Sequence, residues 1–460
     1  MRVWINNPFD FLPGEGARLQ RYGLLCRALV QAGHQVVWWT SDWNHLEKVR
    51  REVLKFEPAS LEATPSQGSS KVLKLEDGQV EIRLIKTMPY FKNVGLRRLV
   101  SHWLYAKRWE RMALAEPEHP DLILCSAPPL STGWVMRHLC KRLRCAGVID
   151  VMDLWPETFE RVAPAWMLWP LRWMAKRVYQ GADGISAVGD SYLEVIREKY
   201  QSAVAVGSRE ARDKRKEERT PRQGKPMYRC YHGVEEVAVG SSSWQLGKRA
   251  ASYDATSAKA PSPHCPLPLP TANLKLVYVG NMGQGYDLET LVRAVSEMMD
   301  EGYAIGLDLA GRGEQEPLLK TLAEAKKHAI CFHGMVSGEQ LYALLGQADL
   351  GVVPMFSNTL VAVPYKLADY AAYGLPMVSS LHGETSALLK QYACGWQYEA
   401  GSLASLKQAL KEVYELKQRE AAAFEARGRN ARRLAEECFA AERIYPAFVR
   451  WLIETTKWSQ

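Results

Sequence analysis

Residues Val363–Ser380 read VPYKLADYAAYGLPMVSS. Pro364 opens a helix, Gly374-Leu375-Pro376 closes it, and an apolar strand follows. Lys366, Asp369, Tyr370 and Tyr373 stand at i, i+3, i+4 and i+7, so they share one helix face. A helix between apolar strands is the crossover unit of a parallel α/β sheet. A lysine and a carboxylate on the same stripe admit two readings. One is a solvated ion pair of little consequence. The other is a polar pair kept for a ligand at the strand ends.

The same alternation spreads outward from this stretch. Strands are expected at 274–280, 305–311, 329–334, 350–355, 377–381 and 394–398, with helices between them and long helices through Arg433. The first half repeats the pattern with strands at 2–6, 35–41, 121–129, 145–153 and 184–189, and a helix from Leu19 to Ala32. KVLKLEDGQVEIRLIK, 71–86, reads as a hairpin turned at Asp77-Gly78. From about Ala205 the pattern gives way to basic, Ser-rich and Pro-rich sequence, with one strand-like run, YRCYHGV, at 228–234. The boundaries that follow are 1–204 for a first Rossmann-like domain, 205–271 for an insertion and linker, 272–435 for a second Rossmann-like domain, and 436–460 for a final helix.

Composition narrows the class. With 47% hydrophobic and 24% charged residues in 460, the chain is expected to be a soluble protein of more than one domain. No run of eighteen apolar residues spans a bilayer, and MRVWINNPFDF lacks a secretory h-region. Nine scattered cysteines without a CxxC pair argue against a disulfide framework or structural zinc, and fit a reduced cytoplasm. Half of the net charge of +8 comes from Arg209–Lys225, which holds eight basic and four acidic residues and no aromatic ring. That is a solvated linker rather than a nucleic-acid arm.

Glycine loops recur where strands end. NNPFDFLPGEGARLQRYG, 6–23, puts Gly14 and Gly16 ahead of a helix, where backbone amides and the helix dipole favour a phosphate. GNMGQGYDL, 280–288, and AGRGEQEPLL, 310–319, each place glycines directly after a strand, and FHGMV, 332–336, follows the same plan. One such turn says little. Their recurrence on one rim of a sheet describes a nucleotide-sized site.

These motifs, in this order, resemble the GT-B, family 4 retaining glycosyltransferases, in the branch that builds bacterial O-antigen, capsule or exopolysaccharide. The residues carrying the resemblance are Gly14-x-Gly16, Gly33-His34, DLWPE at 153–157 and ADGISAVGDSY at 182–192. They continue with YVGNMGQGYDL, AGRGEQ, FHGMV, Ala348-Asp349, PYKLADYAAYGLPMVSS and HGE at 382–384. The resemblance implies two Rossmann-like doubly wound domains facing a cleft, the last helix crossing back to the first domain. It implies transfer from a UDP- or GDP-type sugar to an acceptor hydroxyl, here a lipid-linked or other glycan. Donor contacts would come from Gly280, Asn281, Gly283, Arg312, Gly313, Gly334, Met335, Pro364, Lys366, Asp369 and Glu384, with Gly14 and Gly16 on the first domain.

The family usually carries two glutamates eight residues apart at this helix. Asp369 stands in the second place and Val361 in the first, so half of that pattern is present. A carboxylate suits the paired hydroxyls of a ribose, and an ammonium near a helix start suits a diphosphate. We therefore read Lys366 and Asp369 as the functional pair, with Asp153 and Glu157 as acceptor-side candidates that equally fit a capped helix start. No DxD motif occurs, so metal-independent transfer is expected, the leaving group being met by Lys366, helix ends and Arg312. Retaining enzymes of this fold are described by front-face attack, with the departing phosphate taking the acceptor proton. A non-hydrolysing nucleotide-sugar epimerase and a non-catalytic binding protein share the architecture and remain the alternatives.

Of fifteen tryptophans, five lie among cations in two segments, LRRLVSHWLYAKRWERM, 96–112, and APAWMLWPLRWMAKRVY, 163–179. Trp166, Trp169 and Trp173 fall at i, i+3 and i+7. The pattern fits either an interfacial helix among anionic headgroups or an amphipathic core helix with a basic outer face.

Overall fold

The computed structural model describes residues 1–13, 15, 19–45, 47–51, 64–65, 70–75, 79–91, 95–160, 163–201, 225–235, 272–336, 338–356 and 359–458. The chain forms two compact units, Met1–Tyr231 together with Glu442–Gln460, and His232–Ala441. Gly14 and Gly16, the Asp77-Gly78 turn and nearly all of the 205–271 segment lie outside the described residues.

In the first unit the strands are β1 (Arg2–Asn6), β2 (Gln35–Ser41), β3 (Trp43–Asn44), β4 (Val49–Arg50), β5 (Thr64–Pro65), β6 (Ser70–Leu75), β7 (Val80–Ile85), β8 (Leu122–Ala127), β9 (Ala146–Val151), β10 (Gly184–Ala187) and β11 (Met227–Arg229). One sheet runs β11-β10-β9-β8-β1-β2-β7-β6-β5, and β3 pairs with β4 separately. Seven strands are parallel; β6 joins β7 antiparallel with Leu75 opposite Val80, and β5 joins β6 antiparallel. Strands β8 and β9 are buried along their whole length, which is why they read as unbroken apolar runs. Of the YRCYHGV run only Tyr228 and Arg229 enter a strand, the short edge strand β11 beside β10.

A buried ion pair ties this unit together. Arg21, at the start of the helix Arg21–Gln31, grips Asp150 with Nε and Nη2 at 2.7 and 2.8 Å. Its remaining nitrogen donates to the carbonyls of Cys230 and Tyr231, while the hydroxyls of Tyr22 and Ser186 donate to Asp150. Burial pushes the Asp150 carboxyl up, but the Arg21 charge and these hydrogen bonds hold it below the usual range. A fully desolvated pair of this kind persists only when every donor and lone pair is met. The final helix, Ala441–Trp458, packs here as well: Phe448 and Trp451 stack on Tyr228 at 5.5 and 5.2 Å.

The second unit holds β12 (Leu274–Val279), β13 (Ile305–Ala310), β14 (Ile330–Gly334), β15 (Leu350–Val353), β16 (Met377–Ser379) and β17 (Gly395–Gln397), all parallel, in the order β14-β13-β12-β15-β16-β17. The chain order reverses between β12 and β15, the place where open α/β sheets leave room for a ligand beyond the strand ends. These two strands pair only through Leu276–Leu350 and Val277–Gly351. Beyond that the Tyr370 hydroxyl fills the gap, accepting from the Val279 amide at 3.0 Å and donating to the Val352 carbonyl. Gly351 permits this, since a β-carbon there would stand 2.4 Å from the Tyr370 ring.

The helix Tyr365–Ala372 starts after Pro364 and ends in a Schellman turn: Leu375 N–H reaches the Tyr370 carbonyl, Gly374 N–H reaches Ala371, and Gly374 has φ 65°. Both its flanks are covered, so a seven-residue run from Lys366 to Ala372 is buried. Cys26, Cys125, Cys140, Cys145, Cys230, Cys394 and Cys438 are free thiols, whereas Cys331 is disulfide-bonded, which the scattered cysteine spacing did not foretell. Among the described residues no helix is long and apolar enough to cross a membrane.

Candidate functional site

The carboxyl ends of β12, β13 and β14 carry three loops that interlock through their backbones. Gly280 N–H donates to Ala310, Met282 N–H to Arg312, Gln315 N–H to Met282 and Gly311 N–H to Gly334. The Gln315 side chain adds bonds to the carbonyls of Gly283 and Tyr286. A β-carbon on Gly313 would lie 2.3 Å from the Met282 carbonyl carbon. Glycine is thus required in AGRGEQ by loop meeting loop.

Lys366 enters beside this frame from the first turn of its helix. It is 6% exposed and Asp369 7%, which rules out the solvated surface pair. The Lys366 ammonium lies 4.3 Å from the centre of the Tyr286 ring and 4.8 Å from that of Tyr278, with Gly280 directly below. The two rings meet edge to face at 6.0 Å, and the Tyr278 hydroxyl is held by the Asn281 carbonyl. Burial pulls the Lys366 ammonium down to about 7, Asp369 opposing. Two π-faces do not repay the lost hydration of an ammonium. Burial therefore weakens its hold on the proton.

In the first unit, Glu157 is buried and accepts a 2.5 Å hydrogen bond from the Tyr200 hydroxyl, with Lys199 at 3.6 Å. These contacts hold the short turn Glu157–Phe159 in place. Asp153 is exposed; surrounding protein pushes its carboxyl up against the pull of Arg98, an effect that solvent limits.

Two families described as "Glycosyl transferases group 1" and "Glycosyltransferase Family 4" match residues 273–415 and 23–206, one in each unit. The chain superposes on sucrose-phosphate synthase from Thermosynechococcus elongatus with a TM-score of 0.66 at 14% identity, covering 98% of both chains. The chain belongs to the GT-B, family 4 glycosyltransferases. HepE of Anabaena, solved in complex with UDP and glucose, has the same fold at a TM-score of 0.60 and 12% identity, over 98% of this glycosyltransferase and 99% of HepE. In sequence, 156 residues are 24% identical to WcaL of Escherichia coli (strain K12), a protein named as a glycosyltransferase of colanic acid biosynthesis; the match covers 33% of this chain. The Salmonella typhimurium counterpart gives 24% over 154 residues, 32% of this chain. The glycosyltransferase spans 38% of the length of these curated relatives.

Of the residues singled out in the sequence, Gly280, Asn281, Gly283, Lys366 and Asp369 share one stretch of rim. Pro364 caps their helix. Arg312 and Met335 are exposed on the neighbouring loops, and Gly334, with φ 66°, lies against Arg312 Nε. Glu384 stands in the first turn of the helix Glu384–Gln391, and Val361 is half-buried. Sequence reading missed Tyr278 and Tyr286, which flank Lys366, because Tyr278 in a buried strand looks like core and Tyr286 meets it only through the fold of the loop.

Proposed function

We propose that this glycosyltransferase moves a sugar from a UDP- or GDP-type donor to an acceptor hydroxyl with retention of anomeric configuration. The proposed acceptor is a glycan carried on a polyprenyl diphosphate in cell-surface polysaccharide synthesis. The observation that carries the reading is Lys366, buried between Tyr278 and Tyr286 at the switch point of the second unit. In this reading Lys366 and Arg312 neutralise the departing diphosphate, Asp369 accepts from the ribose hydroxyls, and no metal takes part. The leaving phosphate takes the acceptor's proton. The colanic-acid name of WcaL supports the polysaccharide role, and the UDP in HepE supports a uridine donor. Trp166 and Trp169, 75% and 67% exposed beside Arg172 and Lys176, support contact with an anionic membrane surface where such an acceptor resides.

The test is a melting-curve screen of UDP- and GDP-sugars, because a donor that binds only the folded state raises Tm by mass action. Turnover is then followed with and without EDTA, and is expected to persist in EDTA. An epimerase would convert the donor with no acceptor present, and a binding protein would shift Tm without turnover. Failure of every nucleotide sugar to move Tm sinks the donor reading.

A further inference from the structure

We propose that the first unit carries an anion site for a phosphate- or diphosphate-bearing acceptor, built where Lys48 and Arg98 flank the Tyr90 ring. The proposal deepens the transferase reading and rests on it for the word acceptor. Lys48 Nζ lies 5.2 Å from the Tyr90 ring centre and the Arg98 guanidinium 6.0 Å, while Arg98 also lies 5.1 Å from Trp155 and 5.8 Å from Phe9. His45 hydrogen-bonds the Tyr90 hydroxyl at 2.8 Å and has Lys48 Nζ at 3.4 Å; His102 receives Arg98 Nε at 3.4 Å.

These side chains come from segments far apart in sequence. Phe9 follows β1, His45 and Lys48 follow β2, Tyr90 follows β7, and Trp155 follows β9; Arg98 and His102 lie in the first turns of the helix Leu96–Leu114. All therefore gather at the carboxyl ends of the parallel strands, where the order reverses between β1 and β8. Phe9, Trp43, Tyr90 and His102 line a small pocket there.

The charge balance points to an anion. Two basic side chains and two imidazoles gather around the Tyr90 ring, and Asp153 is the carboxylate whose charge bears on Arg98. Burial, then Arg98 and Lys48, push His45 down to about 3; burial, then Arg98, push Lys48 down to about 8; burial, then Arg98 and His45, push His102 well below its usual value. Cations crowded to this degree in an aromatic frame gain from an incoming anion. A guanidinium fork matches phosphate oxygens, and the ring walls suit the sugar or isoprenoid next to them.

The experiment is isothermal titration calorimetry on the full chain with UDP present to occupy the donor site. The probes are inorganic pyrophosphate and geranyl diphosphate. Both are expected to bind, and Arg98→Gln and Lys48→Gln are each expected to weaken binding at least tenfold while UDP affinity and Tm stay unchanged. If Arg98→Gln melts early, Lys48→Gln, on the rim, carries the test. Tighter binding of geranyl diphosphate assigns the ligand to a prenyl-linked acceptor, and equal binding assigns it to the phosphates alone; either upholds the site. No saturable heat with either probe on the wild type, or heats unaffected by both substitutions, overturns it. Should UDP itself fail to bind, the same titrations on Lys366→Met judge this site separately from the donor reading.

Discussion

A β-carbon on Gly311 would stand 1.8 Å from the carbonyl oxygen of Gly280. The two loops close on each other at van der Waals limits, and Gly311 itself has φ 134°, a region side chains avoid. Gly311→Ala should therefore part the loops rather than merely crowd a ligand. We expect a loss of about 3 kcal/mol or more in urea unfolding, with nucleotide binding lost too. An unchanged urea midpoint would show that the loops can separate cheaply.

Lys366 makes nucleotide affinity depend on pH. Its ammonium titrates near 7 in the folded protein, burial lowering it, with Asp369 opposing and the Tyr278 and Tyr286 rings beside it. UDP affinity should fall as pH rises above about 7, approaching tenfold per unit if only the charged form binds. The sign for stability is opposite. Between about 7 and the ordinary lysine value of 10.5 the unfolded chain binds the extra proton, so this group adds stability as pH rises through that window. Lys366→Met should weaken UDP binding and remove both trends, measured by calorimetry and by Tm across pH.

Asp369 is expected to act on the donor twice over. Asp369→Ala removes the acceptor proposed for the ribose hydroxyls and also the charge that supports the Lys366 proton. Donor affinity should drop, on the order of tenfold, and the pH at which it declines should move lower, with the protein still folded by circular dichroism. Wild-type affinity and an unshifted pH profile in the variant would return Asp369 to a structural role.

Trp166, Trp169 and Trp173 are exposed to 75%, 67% and 43%. Changing all three to Ser should cost little stability, roughly the half kcal/mol or so typical of each surface change rather than the 3–5 of each buried aromatic. Binding to vesicles should rise with anionic lipid, fall with salt, and vanish in the triple variant. A variant that floats with vesicles like the wild type removes these tryptophans from any membrane role.

Much of the second unit was legible in the chain. The strands near 274, 305, 350 and 377 are buried on both faces and so read as apolar runs, and the turn at Gly374 was visible because only glycine relaxes there. The Lys366–Asp369 stripe was visible because i, i+3 spacing is a property of the helix alone. Other features were not. Trp103 and Trp109 occupy one amphipathic helix, yet Trp103 is exposed and Trp109 fully buried. Glu157 admitted two readings in the sequence, and its hydrogen bond from Tyr200, more than forty residues on, was not legible there.

By itself the sequence determined what depends on neighbours along the chain: the alternation of strand and helix, the glycine turns, and which residues share a helix face. Tertiary structure alone decided what depends on burial and long-range approach. It placed Lys366 between two tyrosines contributed by another strand and loop, and so lowered its proton affinity. It also joined Arg21 to Asp150 across 129 positions and assigned the glycines of AGRGEQ to loop packing. The physical reason is that hydration is lost, and charges are brought together, only when distant segments meet.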